Sequence, residues 1–202
     1  MKKVLILHGI DGHAGIHWQQ WLYDKLNKKG HKVIMPNLPN ANKPDRKTWL
    51  KKVKKSIRDI KLSQLIIVGH SLGVPTALDL IETFDSPIKA LVSVSGFAND
   101  YGAELNSYFL KEKKLDFKKV RKNCQNFFVL YGDDDPYVPQ KTLSSLASKL
   151  DVKPIIIHKG GHLNTDSGFT KFPELLEILG EYNYFKSSKY ANYEEYSDKE
   201  FK

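Results

Sequence analysis

The sequence predicts an α/β protein with a mostly parallel six-stranded sheet and helices on both of its faces. Short apolar runs recur at residues 4–8, 33–35, 64–69, 88–95, 126–131 and 153–158. They are rich in Val and Ile and hardly alternate with polar residues, which is how strands buried on both faces read. Segments with helical spacing separate them, at about residues 16–29, 46–60, 72–84, 104–122 and 140–150, with a last one near 169–180. Strand and helix alternate throughout, so right-handed crossovers are expected to lay the helices on the sheet.

Each element has a local reason. The first strand, ending at His8, leads to a helix that Gly30 closes. Pro36 and Pro39 break the chain after the second strand. In the next helix Trp49, Leu50, Val53 and Ile57 share one face, and Lys51, Lys52, Lys54 and Lys55 take the other. The run from Gln64 to Val68 reads as a central strand. The helix after it opens at Leu72 and carries Pro75 in its first turn, where a helix accepts proline. Pro139 stands where the first turn of the fifth helix would start.

A chain of 202 residues has room for one domain with a sizeable core. Residues 1–180 are assigned to it. Residues 181–202 form a tail in which Tyr alternates with Lys, Glu, Asn and Ser, a segment open to a protein partner or a second copy. The net charge is +9, but the lysines fall on solvated helix faces, and no Arg-rich tract accompanies them. Specific nucleic-acid binding is therefore not expected. The opening apolar run, Val4 to Leu7, is too short for a secretory signal, and no run nears the ~20 residues that span a bilayer. The lone cysteine, Cys124, cannot close an intramolecular disulfide and is read as structural. A soluble cytoplasmic protein without membrane association is expected.

The most legible motif is Gly69-His70-Ser71-Leu72-Gly73, a Gly-x-Ser-x-Gly between a strand and a helix. Such a turn is tight, strains the serine and lifts its hydroxyl clear of the sheet, and its glycines allow strand and helix to close up. The helix start also aims backbone N–H groups at the reaction centre. A glycine-rich βα turn without chemistry is the bland alternative, so partners must decide.

A serine needs a base, and the base an acid, in the order Ser, acid, His on the loops after later strands. The run at 126–131 ends in Gly132-Asp133-Asp134-Asp135-Pro136, and the run at 153–158 ends in His158-Lys159-Gly160-Gly161-His162. His162, on a glycine-bearing loop beyond its strand, is the expected base. His158 reads as satisfied locally, and His70 as turned away from the serine. Asp135 is the expected acid because Pro136 stiffens the chain after it, with Asp134 and Asp133 as the alternatives. The oxyanion donors are expected to be the backbone N–H groups of Leu72 and Ile10, with Asp11 next to Ile10. Phe97, Tyr137 and Leu163 are candidates to line the substrate side.

Two other classes come into question. Gly9, Gly12 and Gly15 follow the first strand, but their spacing departs from the dinucleotide-binding Gly-x-Gly-x-x-Gly, and no acid ends the second strand. A binding module that keeps the fold and acts through partner contacts is the other, since fold does not fix function.

With these residues in place, the sequence resembles the small serine hydrolases of the retinoblastoma-binding-protein type, above all their YdeN-like branch. The matching segments are His8-Gly9, His17-Trp18, Trp21-Leu22, Gly69 to Gly73, Ser95-Gly96-Phe97-Ala98, Asp135 to Pro139, and Gly160-Gly161-His162. The resemblance implies a compact α/β-hydrolase without a large cap domain and carries a triad onto Ser71, Asp135 and His162. His17 and Trp18 match a feature of that family whose role does not follow from the sequence. The expected reaction is hydrolysis of a small ester through an acyl-enzyme, with no metal or cofactor.

Overall fold

A computed structural model gives the structure of residues 1–180. The tail, residues 181–202, and the partner expectation attached to it lie outside the described residues. The described residues divide into two units, 1–171 and 172–180.

The first unit holds six strands: β1 (Lys3–Leu7), β2 (Lys32–Ile34), β3 (Leu65–His70), β4 (Ala90–Val94), β5 (Phe127–Gly132) and β6 (Ile155–Ile157). They form one sheet in the order β2-β1-β3-β4-β5-β6. Every pairing is parallel, so the sheet is wholly parallel where the sequence predicted mostly parallel. Six helices accompany it: α1 (Gln19–Lys28), α2 (Arg46–Ser56), α3 (Gly73–Glu82), α4 (Glu104–Lys111), α5 (Phe117–Lys122) and α6 (Gln140–Leu150). In the second unit the described part is α7 (Pro173–Ile178), which begins with proline in its first turn.

Strand order and handedness distribute the helices. The chain steps one way from β1 to β2, and the other way from β2 through β3, β4, β5 and β6. Right-handed crossovers therefore set α1 on one face and the later helices on the other. The packing agrees: α2 touches α3, α3 touches α5, and α5 touches α6. The reversal falls between β1 and β3. In open parallel sheets the crevice beyond the strand ends at such a reversal is where sites form. The loops after β1 and β3 both open there.

The predicted helix at 104–122 is two helices, and side chains explain the break. Arg46 Nη1 donates to the carbonyls of Phe109, Leu110 and Lys113, which withdraws them from a continuing helix. Asp116 then caps α5, accepting from the N–H groups of Lys118 and Lys119. The connection from β4 to β5 thus adds two short helices and no separate cap. Among the described residues, no helix is long and apolar enough to cross a membrane.

Candidate active site

From Leu65 to Ile81 every residue is buried except Ser71. The backbone achieves this by placing Ser71 at φ 51, a left-handed conformation that costs a non-glycine residue about 1–2 kcal/mol. Hydrogen bonds hold the turn: Ser71 N–H donates to Val94 of the neighbouring strand, and Val74 N–H to Ser71, both at 3.0 Å. The elbow needs glycine at 73 for a specific reason. A Cβ there would lie 2.6 Å from the carbonyl oxygen of His8 and 2.7 Å from that of Leu7, so the start of α3 presses on the end of β1.

The three consecutive aspartates after β5 bind three successive points of the loop after β6. Asp133 meets His158 Nδ1 and the N–H of Lys159, each at 2.8 Å. Asp134 accepts from Gly161 N–H at 2.7 Å. Asp135 Oδ2 lies 2.7 Å from His162 Nδ1, and its Oδ1 accepts from the N–H groups of Tyr137 and Val138. The Asp135 side chain is 0% exposed, so it faces His162 without competition from water. Glycine again permits the approach: a Cβ on Gly132 would lie 2.3 Å from the carbonyl oxygen of Gly161. The pairing of His158 with Asp133 lowers that carboxyl below its usual range.

At the β1 end, Asp11 has already committed its N–H to the Ala41 carbonyl at 2.7 Å. Among the described residues, no acceptor takes the N–H of Ile10 or of Leu72. The Gly9–Gly15 segment runs through turns and does not enter a helix directly, since α1 begins only at Gln19.

The sequence pattern of the serine hydrolase family matches residues 4–181. The chain belongs to that family. It is similar to YdeN of Bacillus subtilis, at 28% identity over 184 residues that cover 90% of this chain and 96% of YdeN. Serine hydrolase RBBP9 of Rattus norvegicus is 26% identical over 183 residues, covering 88% of this chain and 93% of RBBP9. The crystal structure of the B. subtilis ydeN gene product superposes with a TM-score of 0.83 at 27% identity, over 93% of this chain and 100% of that one. A YdeN-like protein from Pectobacterium atrosepticum shares the fold, with a TM-score of 0.66 at 17% identity over 89% and 90% of the two chains. The fold is that of a compact α/β-hydrolase.

Around this serine hydrolase elbow sit residues to which the sequence assigned no role. His70, expected to turn away from the serine, lies against the loop of His162: Nε2 is 3.0 Å from the His162 carbonyl oxygen, and the two rings are 5.0 Å apart. A carbonyl only accepts, so Nε2 carries the proton. Burial, then the neighbouring His162, hold His70 well below the ordinary histidine range, so it is neutral. Trp18 Nε1 donates to the Leu163 carbonyl at 2.9 Å, and the N–H of Thr165 donates to His17 Nδ1 at 3.2 Å. His8 spans from its own loop to the next: Leu38 N–H donates to Nε2, and Nδ1 meets the Gly9 carbonyl. Only the adjacency of His17 and Trp18 stood out in the sequence, and their partners lie 145 or more positions away.

Of the three candidates for lining the substrate side, Tyr137 is 57% exposed, its ring edge-on to His162 at 5.2 Å. Phe97, 1% exposed, packs against Tyr101, and Leu163 is 0% exposed. Neither of those two is open to solvent. Cys124 is buried, which pushes its thiol up to about 12 and leaves it no thiolate at neutral pH.

Proposed function

We propose that the protein hydrolyses small or short-chain carboxylic esters through an acyl-enzyme, with Ser71 as nucleophile, His162 as base and Asp135 as its orienting acid. The observation that carries the reading is the buried 2.7 Å pair of Asp135 with His162, tied through His70 to the elbow that exposes Ser71.

Because His162 Nδ1 faces Asp135, Nε2 is the nitrogen left to accept a proton. Ser71 Oγ gives its proton to that nitrogen as it bonds to the ester carbonyl carbon. Asp135 stabilises the resulting imidazolium, which returns the proton to the departing alkoxide. Water repeats the sequence on the acyl-enzyme and releases the acid. The oxyanion forms twice, and the uncommitted N–H groups of Ile10 and Leu72 are its donors; in such sites one donor contributes roughly 3–4 kcal/mol. The small-acyl part of the reading is supported by the β4–β5 connection, which adds only α4 and α5, and by Tyr137 standing open beside His162. A single buried thiol is consistent with a reducing, cytoplasmic setting.

A fluorophosphonate probe is expected to label Ser71, and a panel of esters, thioesters and peptides to show turnover fastest for short esters. Ser71→Ala should abolish both. Retained esterase activity in that variant would sink the mechanism, and a preference for peptides would sink the substrate class.

A further inference from the structure

The loop that carries His162 is strained. Lys159 and Leu163 have φ of 51 and 49, and Leu163 directly follows the proposed base. A leucine in this region costs about 1–2 kcal/mol and relaxes unless its surroundings hold it. On one flank the aspartates of the β5 loop hold residues 158–162. They reach neither the strained Leu163 nor the residues beyond it.

The other flank is held by side chains from two separate places in the chain, the turn before α1 and the end of β3. Trp18, buried at the start of α1, donates its indole N–H to the carbonyl of Leu163 itself. His17 is strained too, at φ 58, and spends that conformation on one contact: its Nδ1 receives the N–H of Thr165 and lies 2.9 Å from that residue's hydroxyl. His70 donates to the carbonyl of His162. The three rings pack on one another, His17 on His70 at 5.3 Å and Trp18 on His70 at 6.0 Å. Carbonyls of 162 and 163 and the amide of 165 are thus all bound from outside the loop. One of the binding residues adjoins Ser71 in the chain.

We propose that His17, Trp18 and His70 are positioning residues that hold the strained loop of His162 in register with Ser71. The inference rests on the hydrolase reading above. None of the three needs to touch substrate. Each acts through a backbone group of the loop, so its loss should slow chemistry and leave substrate affinity alone. A displacement of about 1 Å at a reacting group costs on the order of 10²-fold in rate.

The test pairs each of the two histidine deletions with a conservative variant and adds one change at Trp18. His17→Ala removes the acceptor, whereas His17→Asn restores an acceptor and tolerates positive φ. His70→Leu removes the donor, whereas His70→Gln restores an N–H near the same place. Trp18→Phe keeps the ring and removes the indole N–H. The readouts are kcat and KM on p-nitrophenyl acetate, the rate of Ser71 labelling by a fluorophosphonate, and the melting temperature. His17→Ala, Trp18→Phe and His70→Leu are expected to lower kcat and labelling about 10²-fold with KM unchanged. His17→Asn and His70→Gln are expected to recover most of the loss. Wild-type rates in the deletion variants overturn the proposal. So does a loss confined to KM, or one that the conservative variants fail to rescue. If His70→Leu does not fold, the half-buried His17 pair decides alone. A wild-type protein that neither labels nor turns over ester is a separate failure, that of the hydrolase reading.

Discussion

Asp135 and Asp79 are both buried carboxylates, with side chains 0% and 1% exposed, and both face a basic partner. The partners differ in kind. Asp135 meets His162 through Nδ1, which leaves the second ring nitrogen, Nε2, outside the pair. Asp79, inside α3, meets Arg46 of α2 through two bonds, at 2.6 and 3.0 Å, and a guanidinium has donors only and no acceptor. Arg46 Nη1 donates to the carbonyls of Phe109, Leu110 and Lys113, and Lys113 reaches both Asp79 and Glu82. One pair leaves a ring nitrogen outside it, and the other is surrounded by further hydrogen bonds. Burial of an ion pair is therefore no mark of a catalytic site by itself. The mark is a partner with a nitrogen left over.

The largest expected effect breaks the first pair. Asp135→Asn keeps an acceptor for Tyr137 and Val138 but favours the wrong tautomer of His162, and in comparable triads such a change lowers kcat about 10⁴-fold. The melting temperature should move by only a few degrees. Steady-state kinetics beside a thermal melt checks both halves, and near-normal kcat would show that Asp135 does not orient the base.

Breaking the second pair should reverse the pattern. Asp79→Ala leaves a buried guanidinium without its counter-charge, at a cost of about 3–5 kcal/mol, or roughly 6–20 °C in melting temperature. Turnover per folded molecule should stay near wild type. The double change Arg46→Met with Asp79→Leu should recover only part of the loss, because it removes the unpaired charge but also takes the donor from the carbonyls of Phe109, Leu110 and Lys113. A large fall in kcat at unchanged stability would erase the distinction between the two carboxylates.

The two pairs also differ in how far the sequence announced them. The pairing of Asp135 with His162 was legible because chain order places Asp135 after β5 and ahead of His162, and Pro136 singled it out of three. The neighbours Asp133 and Asp134 read as alternatives to it. In the structure they stand beside it, each binding another point of the same loop. Asp79 was not legible. It sits between Leu78 and Leu80 on a helix buried from Gly73 to Ile81, and Arg46, in a Lys-rich stretch, reads as one more surface cation. The same blindness hid the break between α4 and α5, which depends on Arg46 arriving from another helix. Strands and their order follow from apolar runs along the chain, whereas His17, Trp18, His70 and Arg46 act on backbone groups far away in sequence. Local pattern carries no signal for that.

The smallest expected effect separates the two regions by acid. His8, His17 and His70, all near the carboxyl ends of the strands, have their pKa lowered from 6.5, in each case chiefly by burial. Below pH 6.5 the unfolded chain takes up protons there that the folded chain refuses, so stability falls as pH falls toward the folded values. One histidine that differs fully between the states contributes about 1.4 kcal/mol per pH unit. Glu177 works against this. Burial and Glu174 push it up to about 7, so between pH 7 and 4.5 the folded state holds a proton that the unfolded state gives up. A melt of the wild type alone therefore underreports the histidines, and the difference between variants isolates them. From pH 7 to 5, His70→Gln should lose stability less steeply than wild type, while Asp79→Ala, lower throughout, should run parallel to it. Equal slopes in wild type and His70→Gln would mean that His70 titrates alike in both states. Buried neutrality could then no longer explain why its Nε2 proton stays on the carbonyl of His162.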